Sequence, residues 1–305
     1  MADYIIQTKN LSKSFVDVLA LDNMTLVVKP GVFGLVGPNG AGKTTLIRIL
    51  LGLAKPTSGE ASVLGQDVVH NSYEIRERIG VLHERATFPK AMKVRAYLDR
   101  VCRMYEDRRT SEELLEMVGL AYAGERPIGK LSAGMHQRLG LAQAFAGNPE
   151  LVILDEPTVN LDVKGRRETI DLVVEMYRST GVSFFISSHI LSELERACDS
   201  IAFMKNGRVL DSGSIADILS RYAQGVWRVR TSMPEAFASR AGAIKGVRSA
   251  RVTGSTLVTV TAEREWTEDL QDHLRNLSMT ENLGVHAIEP SMSLEDAYEV
   301  VMDNE

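Results

Sequence analysis

The chain has 305 residues, 44% of them hydrophobic and 25% charged, with a formal net charge of −5. That composition excludes a disordered, collagenous or disulfide-scaffold protein, and the length suggests two domains at about 150 residues each. No apolar run approaches the ~20 residues of a membrane span, and none stands near Asp3, so neither a transmembrane segment nor a secretory signal is expected. Cys102 and Cys198 lack metal-ligand spacing and read as reduced, buried thiols of a cytosolic protein. Charge is uneven: residues 225–305 hold 8 Lys+Arg against 13 Asp+Glu, and residues 1–224 hold 27 of each. Neither part has the positive field of a nucleic-acid binder.

Short strands are predicted at Tyr4–Thr8, Met24–Val28 and Val32–Val36. A glycine-rich turn at 37–42 and a helix from Lys43 to about Leu51 follow, the opening of a nucleotide-binding α/β unit. Residues 60–82 carry short β-like runs ending in Ile79–Leu82. Residues 90–148 are mostly helical, with apolar spacing at Met92, Val94, Tyr97, Leu98 and Val101, and again at Leu114, Leu115 and Val118. Leu151–Leu154 reads as a buried strand. A helix at Lys164–Arg178, a strand at Ser183–Ser187, a helix at Ile190–Cys198 and a strand at Ile201–Met204 complete an alternating pattern. It implies a mainly parallel sheet covered on both faces. The boundary falls near Gln224-Gly225. Beyond it come a strand at Val226–Thr231, a helix capped by Ser232 with Pro234 behind it, and a hairpin around Gly254-Ser255. A helix at Thr267–Leu277, a strand at Val285–Ile288 and a last helix opened by Ser293 with Asp296 in a weak capping box follow. This order, β-α-β-β-α-β plus a helix, fits a small ferredoxin-like α+β module.

Gly37–Thr44 matches G-x-x-x-x-G-K-[ST]. Glycines let successive amides fold around a phosphate, and the helix behind aims its positive end at the same oxygens. Asn39, Gly40, Ala41, Gly42, Lys43, Thr44 and Thr45 are the candidate phosphate-binding residues; Lys43 supplies charge, and the Thr44 hydroxyl can ligate Mg²⁺. Leu151–Pro157 is an apolar strand ending in two acids, costly unless the carboxylates serve a ligand. Asp155 would hold Mg²⁺, and Glu156 would accept a proton from the water attacking a γ-phosphate. Ser132 with the Ala133 and Gly134 amides forms a second helix N-terminus suited to phosphate, although an ordinary Ser-capped helix has the same sequence.

Taken together, these motifs resemble the ATP-binding subunit of an ABC transporter over about residues 4–220, with a P-loop NTPase core and a helical subdomain at about 86–150. The resemblance implies further roles. Phe15 would stack on adenine. Glu84 stands at the loop that normally carries glutamine and would ligate Mg²⁺. Asn160-Leu161-Asp162 follows the acidic pair, and His189 stands at the switch-histidine position. It also implies that two copies close head to tail around two ATP molecules. Each nucleotide would lie between one copy's phosphate loop and the other's Ser132–Gly134, with Asp162 linking the sites and His189 holding the γ-phosphate and water in line with Glu156.

Three residues depart from the family pattern: Glu84 for glutamine, Ala133 for the first signature glycine and Met135 for the final glutamine. Glu84 and Met135 look like exporters of the drug-resistance type, in which the ATPase and an integral membrane permease are separate chains. The stretch Pro290–Tyr298 looks like the S-L-E-D-x-F/Y ending of many such ATPases. The tail has no Cys, and His273 and His286 lack metal spacing, so a metal-sensing module is not indicated. A packing or dimerisation appendage and a regulatory or permease-contact role both stay open for it. The leading expectation is thus a Mg²⁺-dependent transport ATPase, peripheral on the cytoplasmic face of the cell membrane, without a nucleic-acid partner. Its permease would dock near residues 86–105, where Phe88, Met92 and Tyr97 line a groove or belong to the core. The alternatives are an importer ATPase and a soluble ABC ATPase acting on ribosomes or DNA. A single phosphate loop, no sustained heptads over 45–130 and no basic excess weigh against the last.

Overall fold

The computed structural model describes residues 4–222, 226–262, 273–277, 283–290 and 293–303. The chain divides into two compact units, Met1–Ser214 and Ile215–Glu305. The sequence reading draws this line after residue 224. The helix Ile215–Tyr222 accounts for the difference, because it packs on the last helix, Leu294–Asp303, of the second unit.

In the first unit, β1 (Ile6–Phe15) pairs with β2 (Val18–Val28) and with β4 (Ser58–Val63), and β4 with β5 (Gln66–Asp67), in an antiparallel sheet ordered β2-β1-β4-β5. The second sheet has the order β10-β9-β3-β8-β7-β6, formed by β3 (Val32–Val36), β6 (Ile79–Leu82), β7 (Leu151–Asp155), β8 (Ser183–Ser188), β9 (Ser200–Lys205) and β10 (Arg208–Ser214). Its β6, β7, β8, β3 and β9 are parallel; β10 is an antiparallel edge. All residues of β3, β7 and β8 are buried, which is why the apolar stretches Leu151–Leu154 and Phe184–Ile186 are continuous rather than alternating. Phe33 stacks on Phe185 across the β3/β8 pair, with ring centroids 5.7 Å apart.

Helix α1 (Lys43–Leu50) follows β3, and α2 (Ser72–Arg78) precedes β6. Helices α3 (Val94–Cys102), α4 (Ser111–Met117) and α5 (Ala133–Ala144) fill the segment between β6 and β7. A reciprocal Thr110/Glu113 capping box starts α4. Helix α6 (Val163–Thr180) is capped by the Asp162 carboxylate on the Gly165 amide at 2.8 Å and ends at left-handed Gly181. Helix α7 (Leu191–Ala197) connects β8 to β9. Cys102 and Cys198 are both buried free thiols.

The second unit has an antiparallel sheet ordered β12-β13-β11-β14, from β11 (Val226–Thr231), β12 (Val247–Gly254), β13 (Leu257–Ala262) and β14 (Val285–Pro290). Trp227, Val229, Val258, Val260, Phe237 and Leu274 form its core, with Phe237 contributed by the helix Pro234–Ala241. Two local expectations are corrected. The N-cap of that helix is Met233, not Ser232, because the Thr231 hydroxyl takes the Met233 amide. The hairpin turn is Ser255-Thr256, since Gly254 already pairs with Leu257. The Ser293/Asp296 capping box forms reciprocally, at 2.8 and 3.2 Å. Residues 267–272 of the expected helix lie outside the described residues. Among the described residues, no helix is long and apolar enough to cross a membrane.

Candidate functional site

The parallel strands of the first unit end together, and parallel sheets bind ligands at such carboxyl ends. From β3 the chain turns through Gly37–Gly42 into α1. Gly42 has φ 108°, and a Cβ there would collide with the Ala20 carbonyl oxygen, so the turn requires glycine. The hairpin between β9 and β10 braces the loop. Gly207 donates to the Ala41 carbonyl at 2.9 Å, and the Asp22 amide donates to the Gly207 carbonyl at 3.0 Å.

Lys43 is buried, its ammonium donating to the Gly37 carbonyl at 2.5 Å and the Pro38 carbonyl at 3.3 Å. The same Nζ is 3.2 Å from Glu156 Oε1. The other oxygen of Glu156 is 2.8 Å from His189 Nδ1. Asp155 ends β7. Its Oδ2 accepts from the Thr44 hydroxyl at 3.2 Å and its Oδ1 from the Ser187 hydroxyl at 2.6 Å. Ser187 in turn accepts from the Glu156 amide at 3.1 Å, so one hydroxyl at the end of β8 fixes both acids. Glu156 sits at φ 49°, a left-handed backbone that few non-glycine residues adopt.

Lys43, Thr44, Glu156 and His189 open on a cavity of about 820 Å³, with Asp155 and Ser187 buried behind them. Asn39, Gly40, Ala41, Gly42, Lys43, Thr44, Thr45, Glu84, Glu156, His189 and Phe15 line it, as do Val18, Leu19, Ala20 and Val159. Phe15 is 44% exposed, with the Lys13 ammonium 4.8 Å from its ring centre, and Val18 and Leu19 are exposed beside it. An apolar, partly cationic wall thus stands next to the polar loop. Glu84 faces the cavity with Arg85 3.5 Å from its Oε1. Ser132, Ala133, Gly134 and Asp162 do not line the cavity. Ser132 caps α5 through the Met135 amide at 3.3 Å, and Ser132, Ala133 and Asp162 are exposed.

The donor set suits Mg²⁺ carried on a phosphate. Thr44 Oγ1 and Asp155 Oδ2 are adjacent hard oxygens, and Mg²⁺ takes one or two protein oxygens plus phosphates. Among the described residues there is no group of three or more His, Cys, Asp or Glu placed to hold a metal by themselves. Glu156 Oε1, buried without a hydrogen bond, leaves an acceptor beside Lys43. Sequence reasoning missed Ser187, Val18–Ala20 and the Asn206-Gly207 brace. Ser187 is the one with a visible signal, a polar residue closing an apolar strand.

Comparison with known proteins agrees with this geometry. The profile of the family described as ABC transporter matches residues 21–159. The chain is 40% identical over 211 residues to the bacitracin transport ATP-binding protein BcrA of Bacillus licheniformis, covering 68% of this chain and 69% of that one. It is 37% identical over 224 residues to the daunorubicin resistance ATP-binding protein DrrA3 of Streptomyces coeruleorubidus, covering 72% and 71%. The structure of cbiO1 from Clostridium perfringens, described as part of the ABC transporter complex cbiONQ, aligns with a TM-score of 0.64 and 27% identity, over 72% of this chain and 91% of that one.

Proposed function

The chain belongs to the ATP-binding proteins of ABC transporters, and from that premise we propose that it hydrolyses ATP as a head-to-tail homodimer to drive a separate membrane permease outward. One observation carries the hydrolytic reading. Lys43 and His189 converge on the two oxygens of Glu156, beside the Thr44–Asp155 pair.

In this mechanism the loop amides of 39–44 and the Lys43 ammonium bind the phosphates, while Phe15 and its apolar neighbours receive the base. Thr44 and Asp155 would hold Mg²⁺, with Glu84 as a further oxygen ligand; the ion supplies neutralising charge on the β- and γ-phosphates. Glu156 takes the proton of the attacking water at Oε1. His189 fixes Glu156 through Nδ1, and its second ring nitrogen is left for the γ-phosphate. Ser132–Gly134 serve the partner copy's nucleotide, and Asp162 joins the two sites. Their place away from the chain's own cavity supports action in trans.

The names of the bacitracin and daunorubicin relatives support export, and so do Glu84 and Met135. The permease would hold the protein at the cytoplasmic face of the membrane, docking at the segment after Glu84. Within that segment Phe88 packs edge-on against Tyr97, with ring centroids 5.5 Å apart, and stacks on His136 of α5. The C-terminal α+β module is an accessory domain of this ATPase.

The test is co-purification from detergent-solubilised membranes with the Glu156→Gln chain, ATP and Mg²⁺. A stoichiometric polytopic protein is the expected result. Ribosomal or DNA-bound material without a membrane protein would refute the transport assignment.

A further inference from the structure

Helix α7 carries a buried acid that does not line the nucleotide cavity. Glu193, in its first turn, is 8% exposed. Its Oε2 accepts from the Thr158 hydroxyl at 2.6 Å and from the Ser188 hydroxyl at 3.4 Å, and its Oε1 has no hydrogen-bond partner. Burial pushes the carboxyl above its usual range, against the Thr158 hydroxyl, the Arg166 guanidinium and the Ser188 hydroxyl. A buried carboxyl with one unsatisfied oxygen is costly, and an apolar side chain of similar volume would avoid that cost. The two hydroxyls show what it does. Thr158 lies two residues beyond Glu156, and Ser188 immediately precedes His189. Ser188 Oγ also accepts from the Ile190 amide at 3.0 Å, which fixes the backbone on the far side of the histidine. Glu156 stands in a left-handed backbone, so its aim depends on what holds the loop behind it.

We propose that Glu193 is a positioning residue for ATP hydrolysis: it ties the loop after Glu156 to the loop that carries His189, so that the two keep their contact. The inference rests on the assignment of Glu156 and His189 made above. Glu193 acts only through the two hydroxyls, and its removal loosens the geometry of the hydrolytic step while leaving the phosphate loop intact.

The test compares the full-length wild type, Thr158→Val, Glu193→Ala, their double variant, Glu193→Gln and Glu156→Gln in steady-state ATP hydrolysis with Mg²⁺, in ATP affinity and in melting temperature. Thr158→Val removes the hydroxyl at nearly constant shape. We expect kcat to fall about tenfold in Thr158→Val and in Glu193→Ala, with KM and ATP affinity within about twofold of wild type. The double variant loses no more than the worse single one, and Glu193→Gln, which keeps an acceptor oxygen, stays within about threefold of wild type. Additive losses, or lowered melting temperatures with wild-type kcat, overturn the inference. If Glu193→Ala does not fold, the other two decide. A tenfold loss in Thr158→Val beside a near wild-type Glu193→Gln supports the tie, and an unchanged Thr158→Val overturns it. A wild type no faster than Glu156→Gln overturns the hydrolytic assignment and this inference with it. A fast wild type with an equally fast Thr158→Val overturns this inference alone.

Discussion

The two units use charge in opposite ways. In the second, Arg228 lies 3.7 Å from Asp296, Arg251 3.1 Å from Glu299 and Arg248 3.9 Å from Asp303, so these three sheet arginines each meet a different acid on the last helix. These pairs are partly or largely exposed, and pairs of that kind contribute little. Their spacing along the helix, three and then four residues, is that of one helical face, so the acids serve registry. In the first unit, Lys43, Asp155 and Glu156 are buried and crowd one end of the sheet, with Glu156 Oε1 lacking any hydrogen bond. Buried charge held short of full satisfaction marks a place where a ligand completes the network. The second unit rests on its own apolar core and leaves its paired charges at the surface, whereas the sheet end of the first unit keeps buried charge for a ligand to complete.

Substitutions can break or sharpen that contrast. The largest effect is expected from Glu156→Gln, which keeps the shape and removes the proton acceptor. ATP turnover should fall about a thousandfold while ATP binding persists, and size-exclusion chromatography with ATP should show a dimer. In the second unit the comparable loss lies in the apolar core. Phe237→Ala should cost about 3 kcal/mol, and Arg251→Ala less than about 1 kcal/mol, both read by denaturant titration. Near-equal costs would erase the contrast. Lys43→Ala should weaken ATP affinity about a hundredfold, since a charge-assisted contact to phosphate is lost; an unchanged affinity would mean the phosphate loop is misassigned. The smallest effect is expected at a surface pair in the first unit. Arg78 clasps Glu150 through two hydrogen bonds, at 2.6 and 3.0 Å, and holds its carboxyl below the usual range. The folded value is the lower one, so the stabilisation is present above the unfolded carboxylate value of about 4.3 and is lost as pH falls through the folded value. With the pair largely in solvent, Glu150→Gln should cost about 0.5 kcal/mol at neutral pH and nothing in acid, by thermal unfolding at both.

The residues assigned to phosphate were the legible ones, because phosphate chemistry constrains residue type as well as position. Gly42, Lys43 and Thr44 could be named from spacing, as could an acidic pair closing an apolar strand. The antiparallel sheet was less visible. Asn10 and Asn23 sit at φ 49° and 48°, and the register shifts between β1 and β2 there break the two-residue alternation that marks a strand. Helix α2 is a single short element with one buried residue, Ile75, too little for a periodic signal. Glu193 was invisible for another reason. In sequence it is an ordinary acid in a first helical turn, where acids are favoured anyway. Only the packing of α7 beneath the loops reveals that it is buried. The units divide earlier than composition suggests, because a helix of mixed character joins whichever neighbour its apolar face meets, and Ile218 is fully buried.

The brace from Gly207 to Ala41 has a thermodynamic consequence. A glycine-rich loop free in solution samples many shapes, and a ligand that selects one must bear that entropy itself. Here the hairpin's hydrogen bond to Ala41 restrains the loop before any ligand arrives, so less of that entropy falls on binding. The entropy is charged to folding, and affinity is correspondingly exposed to changes at Asn206 and Gly207. A substitution at Gly207, whose φ is 79° and whose Cβ would meet the Ala20 carbonyl oxygen, would disturb this brace and weaken binding without removing any contact to the ligand's phosphates.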